Sequence, residues 1–252
     1  MKKILLCAPV HEKEHIFVEY LKALRKLEVP EGYEVAKMFV LHNCEHLQRH
    51  IRIDLNETCR ILNNNVDYIK DDRTHLWQGN NFKSVVWMKN HLIQEMLKYG
   101  FDYIFYVDSD LILHPKTLTQ LILADKDMVS NIFWTWWDKS NPAQGELPNC
   151  WMQNDYHFEA EDLRRWREKG TYRVGMTGAC TLIKRKVLQN PCVNWNVVNN
   201  INFSAWEDRA FCIRVAVAGF EIWTDTHYPA LHLYREEHYV EYMKGGANNA
   251  QC

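Results

Sequence analysis

The run Phe101-Asp102-Tyr103-Ile104-Phe105-Tyr106-Val107 is almost unbroken apolar and aromatic chain, and it stops abruptly at Asp108-Ser109-Asp110. A strand with one wet face alternates apolar and polar side chains. A short run without alternation belongs to a strand covered on both faces, as in a parallel sheet sandwiched between helices. The preceding residues agree. From Ser84 to Tyr99, Val85, Met88, Leu92 and Met96 recur at helical spacing, and Gly100 stands where a helix C-terminus wants a residue without a Cβ.

The same alternation governs the rest of the first half. Lys3 to Ala8 reads as a buried strand, His15 to Leu27 as a helix stopped at Pro30 and Gly32, and Glu34 to Leu41 as a second strand. A loop and helix are expected from Asn43 to about Leu62, and a short third strand from Val66 to Ile69. After Asp110 the pattern predicts a helix over Thr117–Ala124, a strand over Asp127–Phe133 and a loop rich in Trp, Asn and Pro over Trp134–Asp155. A polar helix over Glu159–Lys169 and a glycine-punctuated strand pair over Val174–Ile183 come next. A helix over Ser204–Ala218 and strands over Phe220–Thr224 and Tyr228–Leu233 complete the expected set. Repeated strand–helix units predict an α/β fold, a Rossmann-like, mostly parallel sheet with helices on both faces. At 252 residues one domain is expected. Residues 1–125 and 126–243 would form its two halves, with 244–252 a flexible tail.

Composition excludes several classes. With 30 basic and 32 acidic side chains the formal charge is −2, and no basic run is long enough to make a nucleic-acid patch. The eight cysteines show no close-spaced framework, which points to free thiols in a reducing, cytoplasmic setting. No stretch approaches 18 uninterrupted apolar residues, so no membrane span is expected. The ten Trp and twelve Tyr exceed what a core of this size needs and hint at a surface of flat rings such as sugars favour.

Asp108 and Asp110 carry the sharpest chemical signal. Residues i and i+2 of a strand point the same way, so the two carboxylates would repel unless a cation or a proton intervened. A hard divalent ion such as Mn²⁺ or Mg²⁺ takes oxygen ligands, and phosphate oxygens can complete its shell. In an open α/β sheet ligands bind beyond the carboxyl ends of strands, where this pair stands.

The segment Asn90 to Asp110, a helix leading into FDYIFYVDSD, resembles the DxD region of family-2-type glycosyltransferases of the GT-A fold. Ala8-Pro9-Val10-His11-Glu12 is similar to that family's first nucleotide-binding loop. Val174 to Thr181 resembles its acceptor-side loop, Trp206-Glu207-Asp208 its acidic motif at a helix start, and His232 a late histidine that supplies a third metal ligand. The resemblance spans nearly the whole chain, and the matches fall in order.

It implies an inverting, metal-dependent transfer from a nucleotide-sugar, with UDP-sugars ahead of GDP-sugars. Asp108, Asp110 and His232 would hold Mn²⁺ or Mg²⁺, with His227 an alternative to the latter. Asp208, or Glu207 beside it, would take the acceptor's proton. Pro9, Val10 and Glu12 would meet base and ribose, together with Asp67 or the pair Asp71-Asp72. Asp108 and Ser109 would lie on the donor, and Lys83 or Lys89 on a phosphate or the base edge. Trp134, Trp136, Trp137, Thr177 and Gly178 are placed on the acceptor side. The acceptor itself stays open among a glycan, a lipid-linked sugar, a peptide and a modified base. Two other classes compete: a haloacid-dehalogenase-type phosphatase or phosphotransferase, in which the first Asp attacks phosphate, and a sugar-binding relative without activity.

Overall fold

Burial dictates the frame. In the computed structural model, which describes residues 1–64, 80–137, 140–141, 145–153, 157–197 and 207–245 (80 and 81 by backbone alone), alternate residues of the central strands enter two separate cores. Along β1 (Lys2–Val10), Leu5 and Cys7 join one core while Ile4, Leu6, Ala8 and Val10 join the other. Along β4 (Tyr103–Val107), Ile104 and Tyr106 face the first, and Tyr103, Phe105 and Val107 the second. This is why neither strand alternates in sequence: each side chain has an apolar layer to enter.

Helix α1 (Glu14–Arg25) covers one face through Phe17, Tyr20, Leu21 and Leu24. Helix α2 (Asn80–Lys98) covers the other through Val85, Met88, Leu92 and Met96. Gly100 follows α2 with φ 73°, the left-handed conformation expected of its cap. The remaining strands are β2 (Tyr33–His42), β3 (Glu57–Leu62), β5 (Leu111–Ile112), β6 (Met128–Thr135), β7 (Leu147–Pro148), β8 (Cys150–Trp151), β9 (Thr171–Val174), β10 (Met176–Thr177), β11 (Cys180–Lys184) and β12 (Ile222–His232). The remaining α-helices are α3 (Thr117–Leu123), α4 (Ala160–Arg165), α5 (Arg185–Leu188), α6 (Glu207–Val217) and α7 (Glu236–Gly245).

The main sheet runs β3-β2-β1-β4-β11-β6-β12-β5. Strands β1 to β4 are mutually parallel where they pair, β6 and β12 are parallel, and β11 runs antiparallel to both β4 and β6. The expected parallel half is therefore present, with one reversed strand joining it to the second half. Because β1 pairs with β2 on one side and β4 on the other, the chain reverses its winding between β1 and β4. A crevice at the carboxyl ends of those two strands follows from that reversal.

Several local expectations are corrected. Residues after Asn43 form two short 3₁₀ turns, Glu45–His50 and Ile53–Leu55, rather than an α-helix. Asn56, at φ 56°, breaks the chain, and Glu57–Leu62 becomes the third strand by pairing with β2. The strand expected at Val66–Ile69 lies outside the described residues. Phe220–Thr224 and Tyr228–Leu233 merge into the single β12, whose register against β6 shifts between Asp225 and Ala230. The polar helix shrinks to α4, short strands β7 and β8 punctuate the Trp-rich loop, and Glu236–Gly245, not anticipated, is helical. Among the described residues no helix is long and apolar enough to cross a membrane.

Candidate active site

Asp108-Ser109-Asp110 turns directly off the end of β4, with the Leu111 N–H donating to the Asp108 carbonyl at 3.2 Å before β5 begins. Asp110 is fully buried and Asp108 half-buried. The two carboxylates thus occupy different environments rather than one shared slot. β5 pairs with the end of β12, so Leu111 sits opposite His232. That register brings His232 Nε2 within 3.0 Å of Asp110 Oδ2.

Three aromatic rings surround His232: Phe133, Trp137 and Tyr234, at centroid distances of 4.7, 5.5 and 5.3 Å. Its Nδ1 lies 2.6 Å from Thr135 Oγ1 at the end of β6. Cis ligands of an octahedral ion at about 2.1 Å stand about 3.0 Å apart. The Asp110–His232 separation equals that spacing, so this pair fits two adjacent positions of a Mn²⁺ or Mg²⁺ shell, with donor oxygens and water left to fill the rest. No cluster of three or more His, Cys, Asp or Glu side chains gathers for a metal among the described residues.

His227, the alternative ligand, belongs elsewhere. Its Nδ1 lies 3.0 Å from Oδ2 of the fully buried Asp225, which also accepts from Gln120 Nε2 at 3.1 Å and Thr171 Oγ1 at 2.8 Å.

A second group of charges assembles on α6. Glu207 and Asp208 occupy its first turn, where the helix dipole favours anions. Lys89 of α2 donates to both, at 2.9 Å to Glu207 Oε1 and 3.0 Å to Asp208 Oδ1, with its own side chain only 4% exposed. Burial pushes the Asp208 carboxyl up to about 6, with the Glu207 charge adding to the rise and the Lys89 ammonium restraining it. Burial works against the charged form of Lys89, but Asp208, Glu207 and Asp108 outweigh it and hold the ammonium above its ordinary range. Lys89 is therefore committed to the α6 carboxylates, where the sequence suggested a donor phosphate or base edge.

Gly178 explains how Asp208 comes so close. A Cβ on Gly178 would meet Asp208 Oδ2 at 2.3 Å and Cγ at 2.7 Å. The next residue, Ala179, has φ 70°, and the Cys180 N–H donates across it to the Gly178 carbonyl at 2.9 Å. This tight γ-type turn is costly for a residue with a Cβ. It is held by Asn149, whose Nδ2 donates to the Gly178 carbonyl at 2.9 Å and the Asn131 carbonyl at 3.1 Å.

The other expected residues divide. Pro9, Val10 and Glu12 lie buried at the end of β1, with the Glu12 carboxylate accepting from the Lys13 N–H at 2.8 Å. Ser109 is buried between the two Asp residues. Thr177 is buried too, its hydroxyl donating to Ser130 Oγ at 2.6 Å. The three tryptophans do not make one platform. Trp134 packs into the α2-side core beneath the Arg167 guanidinium, 3.5 Å from its ring centre, while Trp137 joins the opposite core against His232. Trp136 is half-buried. Asp67 and the pair Asp71-Asp72 fall outside the described residues. Lys83 is exposed on α2.

Sequence reasoning missed Thr135 behind His232, Trp195 beneath Lys89 and the strained Ala179. Each owes its importance to a contact across the fold, for which no local periodicity exists. A cavity of about 900 Å³ opens on the α2 side of β1–β3, lined among others by Leu5, Met38, Arg60, Glu95 and Tyr99. None of the site residues described above lines it, and the chemistry of the carboxylates, not cavity size, locates the site.

Comparison with known proteins places this geometry in a family. No curated protein matches the sequence. The fold is shared with S. aureus TarS 1–349, at 14% identity and a TM-score of 0.55, covering 100% of this chain and 67% of that one. It is likewise shared with the same protein in complex with UDP-GlcNAc, at 14% identity and TM-score 0.54, covering 91% and 57%. A third likeness is to GalNAc-T7 with UDP, GalNAc and Mn²⁺, at 11% identity and TM-score 0.56, covering 94% and 45%. The chain thus spans 45% to 67% of the length of these structures, and at such identities the likeness is one of fold. The model of glycosyltransferase family 25, N-terminal domain, matches residues 3–196. That match gives the family as 25, where the motifs resembled family 2, and it disfavours the phosphatase alternative. Matched over more than half its length, with its carboxylates at the carboxyl end of the β1–β4 crevice, the chain belongs to the family of glycosyltransferase family 25 N-terminal domains.

Proposed function

We propose that the chain moves a sugar from a nucleotide-sugar, preferentially a UDP-sugar, to an acceptor hydroxyl with inversion at the anomeric carbon, using Mn²⁺ or Mg²⁺. The observation that carries this reading is the Asp110–His232 pair at cis-ligand spacing beyond β4, in a chain whose α6 presents a half-open carboxylate. Asp110 and His232 would hold the ion, with Asp108 at the ion or the ribose and Ser109 on the donor. When bound, the ion supplies positive charge to the diphosphate as it leaves.

Ligation through His232 Nε2 requires the ring proton on Nδ1, where the Thr135 hydroxyl oxygen accepts it; such partners orient a ligand ring. The end of β1, Pro9 to Glu12, borders the same crevice and would meet the base and ribose, with Asp67 a further candidate on the donor side. Asp208 would accept the acceptor's proton while that oxygen bonds to the anomeric carbon. As that bond forms, the bond to the diphosphate breaks on the opposite side, and the nucleoside diphosphate departs with the electron pair. Glu207 balances the Lys89 charge beside it. Trp136 and Trp137, both half-buried, would meet the acceptor, which stays open among a glycan, a lipid-linked sugar, a peptide and a modified base.

The test is a nucleotide-release screen over UDP-, GDP- and dTDP-sugars with Mn²⁺, run beside thermal melts. UDP with Mn²⁺ should raise the melting temperature by linkage, and UDP without metal should raise it far less. Asp110→Asn should remove the metal-dependent part of that rise. Equal stabilisation of Asp110→Asn and wild type would refute the metal assignment. Metal-dependent UDP binding without release from any donor sugar would favour a sugar-binding relative without activity.

A further inference from the structure

The buried ammonium of Lys89 sits where the sequence had suggested a donor contact, yet its surroundings leave it little to offer a donor. It donates to Glu207 Oε1 at 2.9 Å and Asp208 Oδ1 at 3.0 Å, and the Trp195 ring lies beneath it with its centroid 4.3 Å away. Trp195 is itself immobilised. It stacks on Phe211 of α6 at 3.9 Å and 10°, donates through Nε1 to Tyr106 Oη at 3.3 Å, and its backbone N–H donates to Asn90 Oδ1 at 2.9 Å. Tyr106 of β4 donates in turn to the Lys89 carbonyl at 2.8 Å. Contacts from α2, β4, α6 and the segment at Trp195 thus define one position for the ammonium.

We propose that Lys89 is a positioning residue for Asp208, fixing its carboxylate in place and keeping it ionised, rather than a ligand of the donor. This rests on the reading of Asp208 as the base. One carboxylate suffices to neutralise a buried ammonium, and Glu207, at 11% side-chain exposure, is the more enclosed partner. Asp208, 30% exposed, is the open member of the pair. Its Oδ1 is held by Lys89 while Oδ2 lies over Gly178. Without the ammonium, two adjacent carboxylates would share one enclosed place, and one would take up a proton near neutrality. Among the described residues, the other titratable groups that act on Asp208 or Lys89 include Asp108 and Tyr106 of β4, Cys7 of β1 and Cys212 of α6.

The experiment compares Glu207→Gln with the double variant Lys89→Met/Glu207→Gln, which removes the ammonium without leaving two buried carboxylates unpaired. Asp208 is titrated by ¹³C-carboxyl NMR without substrate, its resonance assigned through Asp208→Asn. The expected result is a midpoint at least one pH unit higher in the double variant. The acid limb of nucleotide release should shift equally, while the melting-temperature rise from UDP with Mn²⁺ is unchanged. Lys89→Arg in the wild-type background should recover most of the turnover that Lys89→Met loses. An unmoved Asp208 midpoint overturns the proposal. So does loss of the UDP-dependent stabilisation in the double variant, which would return Lys89 to the donor. Full turnover by Asp208→Asn would sink the base assignment instead, and the substrate-free titration tells that failure apart from failure of the Lys89 role.

Discussion

Replacing Gly178 with alanine tests the assembly of the site by a single methyl group. The backbone of Gly178 lies outside the left-handed region, so alanine meets no conformational penalty there, and the effect is purely one of space. The new Cβ would lie 2.3 Å from Asp208 Oδ2, against about 3.4 Å for ordinary contact, so the carboxylate must retreat by roughly 1.1 Å (3.4 − 2.3). Moving away from Gly178 changes the 3.0 Å bond from Lys89, which holds the other oxygen. A displacement of about 1 Å at a reacting group costs on the order of a hundredfold in rate, and overpacking a formed site costs about 1–3 kcal/mol of stability. Gly178→Ala should therefore stay folded, with a lowered denaturation midpoint, and lose about two orders of magnitude in nucleotide release at saturating donor. Its melting-temperature response to UDP with Mn²⁺ should persist, because Asp110 and His232 lie on other elements. Wild-type turnover in Gly178→Ala would refute the argument that Asp208 must occupy this position. Loss of nucleotide binding alone would show that the loop serves the donor.

Two further outcomes are expected. A base must be ionised to work, and burial raises Asp208 to about 6, so kcat/KM should climb with pH through about 6 and then level; a limb near pH 4 would mean another base. Glu57 is fully buried and accepts from Arg25 Nε at 2.9 Å and Nη2 at 2.7 Å. Arg25→Met would leave that carboxylate the Arg52 N–H at 3.0 Å and the Lys37 ammonium at 3.9 Å, and should cost about 3 kcal/mol in urea unfolding. A loss under about 1 kcal/mol would show that water or Lys37 replaces the partner.

The first half of the chain was legible because its code is local. An apolar run without alternation means two covered faces, and helical spacing between such runs means crossovers, so β1, α1, β2, α2 and β4 follow from pattern alone. Asp108 and Asp110 were visible as acids stranded at the end of such a run. What pattern could not supply was pairing. Glu57–Leu62, half polar and partly exposed, is a strand only because β2 offers it a ladder, and β12 is one strand only because β6 carries it across a register shift.

The site itself was decided in three dimensions. The 122-residue separation between Asp110 and His232 is closed by the antiparallel β5–β12 pair. The 119 residues between Lys89 and Asp208 are closed by two helices packed against one core. The sequence alone determined that this chain forms an α/β sheet presenting acids at a strand's carboxyl end, because burial and periodicity act between neighbours along the chain. Only the tertiary structure decided that Lys89 pairs with Asp208, that Thr135 backs His232 and that the tryptophans part company. Hydrogen bonds and ion pairs between distant segments depend on ångström-scale placement, which spacing along a chain does not encode.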